Sequence, residues 1–197
     1  GKQKWLKTPT LLGIGPSGDL YIFQDDLDQA FILKNNELQP AGPLAKNAKA
    51  MLLTSSGAPW LLTAKQGMVK EDGSFMALGT STSPTGAILD GWGTLWVSDS
   101  KSGSLHLIAS DGSARAVPTP SAIAMAPLPS GGAVIASDSN RALLFLDAAG
   151  QPKLTVPFGK DMPAPFKYVL ALASDPLGHV AAIVEGGDFE GVVLWGP

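Results

Sequence analysis

The sequence predicts an all-β fold built from one repeated four-stranded unit, and three observations carry that expectation. Short hydrophobic runs break at glycine-centred turns and restart as strands at Gly18, Gly57, Gly93, Gly132 and Gly178. Neighbouring glycines of that series lie 39, 36, 39 and 46 residues apart, the repeat length of a four-stranded propeller blade. The 23 Gly and 16 Pro are spread along the chain, as many short strands joined by many turns require. Together they predict a β-propeller of five four-stranded blades of about 39 residues. Residues 1–197 form one domain on this reading, with blades near 8–43, 44–80, 81–120, 121–163 and 164–197, the last completed by 1–7.

The elements follow blade by blade. In blade one, runs at 9–14, 19–23 and 29–33 precede the Asn35-Asn36 turn and a fourth strand near Leu38. Blade two has runs at 48–54, 59–63, 67–70 and 74–78, with Asp72-Gly73 as its last hairpin turn. Blade three has 85–89, 94–98, 104–108 and 114–117, and blade four 122–126, 133–137, 142–146 and 153–156. Prolines mark the connections between blades, at Pro40, Pro43, Pro84, Pro118, Pro120, Pro157, Pro163 and Pro165. Blade five supplies only three runs, at 168–173, 180–184 and 191–195. The segment Lys2-Gln3-Lys4-Trp5-Leu6-Lys7 is expected to close the ring as its outer strand, removing two sheet edges prone to aggregation. The competing reading is a fragment of a six- or seven-bladed ring.

Composition removes several function classes. With 14 basic and 17 acidic residues and a net charge of −3, the chain lacks the basic stripe that nucleic acid demands. There is no apolar run long enough for membrane insertion. The absence of cysteine excludes disulfides, thiol catalysis and Cys-ligated zinc. It suits exported bacterial domains and cytosolic ones alike; an extracytoplasmic location, periplasmic or secreted, is the expectation, with a cytoplasmic one left open.

Two segments carry a family resemblance. Gly93-Thr94-Leu95-Trp96-Val97-Ser98-Asp99-Ser100 and Gly132-Ala133-Val134-Ile135-Ala136-Ser137-Asp138-Ser139-Asn140-Arg141 resemble the Gly-x-Leu-[Trp/Tyr]-Val-[Ala/Ser]-Asp signature of NHL-type and related six-bladed propeller repeats. Gly18-Asp19-Leu20-Tyr21-Ile22 matches in part, while Lys65 and Glu185 stand at the aspartate position in blades two and five. The resemblance implies the fold. Propellers related to it include lactonases and antibiotic lyases that hold a divalent metal or a catalytic His near the axis.

Such chemistry needs carboxylate, Asn or His side chains converging from inner strands, and these inner strands read as apolar. His106 and His179 fall at inequivalent positions in different blades and are read as packing or surface residues. No catalytic residue, metal ligand or cofactor is therefore expected. The connections between second and third strands gather Asp25, Asp26, Asp28, Lys65, Asp99, Lys101, Asp138, Arg141, Glu185 and Asp188, which would form a charged rim on one face for a partner. The plainer reading has Asp99 and Asp138 bonding the backbone of their own turns. Trp92, inside the Asp90-Gly91-Trp92-Gly93 turn, is expected to be exposed as a stacking platform, whereas Trp60, Trp96 and Trp195 are read as packing between blades.

Three functions are compatible with these features. The first is a non-catalytic interaction module presenting one propeller face to a protein or cell-envelope partner. A carbohydrate-binding, lectin-like propeller is the alternative, and a metal-dependent lactonase or lyase the second alternative.

Overall fold

Eight hairpins close with the same five-residue loop among the residues the structure describes, namely 9–63, 67–78, 83–119, 122–137, 139–158, 167–186 and 189–196 of a computed structural model. In the loop that opens at Asp90, the Asp90 N–H donates to the Thr94 carbonyl and the Gly93 N–H to the Asp90 carbonyl, both at 3.0 Å. The fourth residue must adopt positive φ to turn the chain back; Gly93 sits at φ 81°, a backbone conformation that residues with a Cβ rarely adopt. In blade four this position is held by Gly131, whose N–H donates to Leu128, so the repeat is marked there by Gly131 and not by Gly132. Asn35 and Asn36, at φ 52° and 62°, close the remaining outer hairpin of blade one as a two-residue turn.

Among the described residues, nineteen strands form five antiparallel sheets, each a meander in chain order. The chain divides into two compact units, Gly1–Ala87 and Ile88–Pro197. The first unit holds blade one, β1 (Pro9–Ile14), β2 (Leu20–Gln24), β3 (Gln29–Lys34) and β4 (Glu37–Leu44), with one 3-10 turn at Asp25–Leu27. It also holds blade two, β5 (Ala48–Leu53), β6 (Pro59–Thr63), β7 (Gly67–Val69) and β8 (Phe75–Ala77). Strand β9 (Pro84–Leu89) crosses the division. It begins blade three, which continues in β10 (Leu95–Asp99), β11 (Ser104–Ile108) and β12 (Ala114–Pro118). Blade four is β13 (Ala122–Pro127), β14 (Ala133–Ser137), β15 (Ala142–Leu146) and β16 (Pro152–Pro157), and blade five is β17 (Tyr168–Ser174), β18 (Val180–Gly186) and β19 (Phe189–Trp195). The fold class is that of a five-bladed β-propeller. The strand expected over residues 1–7 lies outside the described residues.

Burial on both faces explains why the second strands are mostly apolar. A strand packed on both faces reads as a continuous hydrophobic run, and all five residues of β10 and of β14 are buried. In the second unit, Trp96, Leu105 and Leu107 of blade three pack with Ala133, Ile135 and Leu144 of blade four. The other face of blade four, Val134, Ala136 and Leu143, packs with Val169, Val180, Ala182 and Val184 of blade five. In the first unit, Phe23 and Ala30 of blade one meet Leu61 of blade two.

Candidate functional site

Asp90 is the polar centre of the second unit's turn end. It is only 5% exposed, and a buried carboxylate is tolerated only where donors surround it. Its Oδ1 accepts the N–H groups of Trp92 and Thr94, both at 2.9 Å. Its Oδ2 accepts the Trp96 indole Nε1–H at 2.9 Å and, from the next blade, the Gly132 N–H at 3.1 Å. The Gly91 N–H donates to the Leu128 carbonyl at 3.1 Å. The blade-three turn is thereby pinned onto the blade-four turn, so tightly that a methyl group at Gly91 would stand 2.2 Å from the Pro129 carbonyl oxygen.

The pinned turn carries Trp92 over its neighbour. The indole lies against Gly131, where a Cβ would meet ring atoms at 2.6 to 2.9 Å, and yet Trp92 is 68% exposed. Beside it opens a cleft of about 450 Å³ whose floor is Leu128, Phe145 and Leu146 and whose wall holds Ser130, Asp147 and Lys153. That volume falls within the range of small-ligand sites.

The wall is built by a second copy of the Asp-bearing turn. Asp147 Oδ1 accepts the N–H groups of Ala149 and Gln151, both at 2.9 Å, and Oδ2 pairs with Lys153 Nζ at 3.1 Å. The bond from Gln151 and the nearby Lys153 ammonium hold the Asp147 carboxyl below the usual carboxylate range. From blade three, the Arg115 guanidinium donates to the Ala149 and Ala148 carbonyls at 2.9 and 3.1 Å, fixing the wall against the platform. A smaller cleft of about 370 Å³, lined by residues such as Val117, Thr119, Asn140 and Gln151, has no aromatic or charged side chain.

Of the charged rim expected from sequence, Asp99 and Asp26 engage in bonds within their own connections. Asp99 is 3% exposed and its Oδ1 accepts the N–H groups of Lys101 and Ser102 at 2.9 Å, the plainer role foreseen for it. In the first unit, Asp25, Asp26 and Asp28 shape the 3-10 turn; Gln24 donates to Asp26 at 2.7 Å, and Asp28 turns left-handed at φ 52°. Lys101, Arg141 and Glu185 are exposed, at the ends of β10, β15 and β18. Lys65, Asp138 and Asp188 lie outside the described residues. Among the described residues, no three His, Asp or Glu side chains stand close enough to hold a metal ion.

The remaining aromatic and histidine expectations resolve individually. His106 is buried within β11, while His179 is exposed and its Nδ1 meets Asp175 Oδ2 at 2.7 Å. Trp96 and Trp195 pack between blades. Trp60 engages its own blade, its Nε1 donating to Glu71 and its ring lying 5.3 Å from the Lys70 ammonium. Phe145, Asp147 and Lys153 were not singled out by sequence, although the Asp-x-x-Gly pattern at Asp147–Gly150 and Asp175–Gly178 repeats that of Asp90–Gly93 and signals the same turn.

No family model matches the chain, and no curated protein matches its sequence. Solved structures match in fold. Virginiamycin B lyase from Staphylococcus aureus superposes with a TM-score of 0.65 at 14% identity, over 98% of this chain and 71% of that one. A structure solved as a candidate gluconolactonase gives 0.64 at 17% identity, over 96% and 76%. Hydrazine synthase from Kuenenia stuttgartiensis gives 0.69 at 13% identity, over 97% and 63%. At such identities the likeness establishes the propeller fold and leaves the chemistry to the site itself.

Proposed function

We propose that this chain is a non-catalytic binding module that holds its partner at the turn end of blades three and four, in the cleft beside Trp92. The observation that supports this reading is the platform: an indole 68% exposed whose backbone and underside are fixed by Asp90 and Gly131. A pre-organised aromatic surface loses little entropy on binding and is the usual centre of a recognition site.

A lyase or lactonase activity is the second reading, and the fold of the neighbours supports it. One experiment separates the two. Wild-type protein and Trp92→Ala are applied to glycan and peptide arrays and, in parallel, to streptogramin B and lactone substrates. Binding that Trp92→Ala abolishes, at unchanged melting temperature and without turnover, is the expected result. Turnover by the wild type, or array binding that survives Trp92→Ala, would overturn it.

A further inference from the structure

We infer that the ligand of the Trp92 cleft is a neutral carbohydrate, a pyranose ring that stacks on the indole and hydrogen-bonds to Asp147 and Lys153; this rests on the cleft being the binding site. A pyranose is a disk with a C–H face and a rim of hydroxyls. It needs a flat, exposed apolar surface beside closely spaced donors and acceptors. Trp92 supplies the surface, with one ring face on Gly131, and Phe145 and Leu128 line the same cleft.

The wall supplies the polar half. Asp147 Oδ2 and Lys153 Nζ stand 3.1 Å apart at the cleft, an acceptor and a donor at the spacing of neighbouring hydroxyls on a sugar ring. Lys153 is 69% exposed, and an ammonium carries three N–H donors, of which this pair engages one. Among the lining side chains the only charges are those of Asp147 and Lys153, which pair with each other, so an anion would have to displace a carboxylate to reach the Lys153 ammonium; this favours a neutral sugar over a phosphate or an acidic peptide. Its openness also disfavours an apolar side-chain anchor, which gains most in a closed, dry pocket.

The test titrates the whole chain with methyl α- and β-pyranosides and their short oligosaccharides, and with a proline-rich peptide as comparator, following tryptophan fluorescence and the indole N–H resonances. Saccharide binding that perturbs the Trp92 resonance is expected. Trp92→Ala should weaken it by roughly tenfold or more and Trp92→Phe by less, as the loss of a stacking surface dictates. Lys153→Met should weaken it by about tenfold, the effect of one charge-assisted hydrogen bond, at an unchanged melting temperature. A Trp92-dependent response to the peptide and none to any saccharide would overturn the carbohydrate assignment while sparing the binding site. Saccharide binding indifferent to both positions would overturn the site as well.

Discussion

A single carboxylate organises the best-defined part of this molecule. Asp90 accepts four hydrogen bonds, two within its own turn, one from the buried Trp96 indole and one from the adjacent blade. Asp90→Asn preserves size and one acceptor oxygen but presents an amide N–H₂ to donors that the carboxylate now satisfies. Trp96 is fully buried, so its Nε1–H then has no water to turn to. Leaving a buried polar group unpaired costs about 1–3 kcal/mol, and hydrogen bonds to a charged acceptor are the stronger kind. Asp90→Asn is therefore expected to lower unfolding stability by roughly 3 kcal/mol in urea titration; a loss below about 1 kcal/mol would mean that the inter-blade bond from Gly132 carries little of the packing. The sequence shows Asp90 only as a turn residue, because its second role depends on a residue 42 positions away.

The strands were legible in sequence almost throughout: runs at 104–108, 133–137 and 142–146 coincide with β11, β14 and β15, since two-sided burial leaves an unmistakable apolar stretch between glycines. Strand ends were less so, as with β4, which reaches Leu44 through Pro40 and Pro43 because an outer strand tolerates missing N–H donors. Asp72, Asp111, Asp147 and Asp175 share a consequence for acid stability. Each is held below the ordinary carboxylate value of 3.8: Asp72 and Asp111 chiefly by bonds to Ser74 and Ser113, Asp147 by that to Gln151, and Asp175 by that to His179. A carboxyl whose folded pKa is depressed binds fewer protons folded than unfolded. Its contribution is complete above the unfolded value and is lost as pH falls through the lower folded one. Stability should accordingly decline as pH drops below 3.8. The double variant Asp147→Asn, Asp175→Asn should be less stable at neutral pH and show a shallower decline in acid. Parallel stability curves for wild type and variant would show that these turns do not contribute through ionisation.

At the scale of the whole chain, the repeat spacing gave the blade count and order, while the division after Ala87 left no mark in composition, since β9 crosses it and reads as an ordinary strand. The candidate site was legible only in part. An exposed Trp92 follows from its place in a turn, but the cleft beside it needs Phe145, Asp147 and Lys153 brought from the next blade, and pairing between blades is tertiary information that one strand's pattern does not contain. The same tertiary packing predicts unequal stability within the two units. The second unit contains two inter-blade cores, with Trp96, Ile135 and Leu143 fully buried and every residue of β10 and β14 covered. In the first unit, β7 and β8 have three residues each, and Phe75 is 56% exposed. Amide protons exchange through openings whose cost follows local burial, from near zero at exposed elements up to the global unfolding free energy in a core. Native-state hydrogen exchange followed by mass spectrometry should therefore find the slowest amides in β10, β14 and β15 and fast exchange in β8, an outer strand of three residues none of which is buried. Protection of β8 equal to that of β14 would show that an outer strand with no buried residue is held as firmly as a fully covered one.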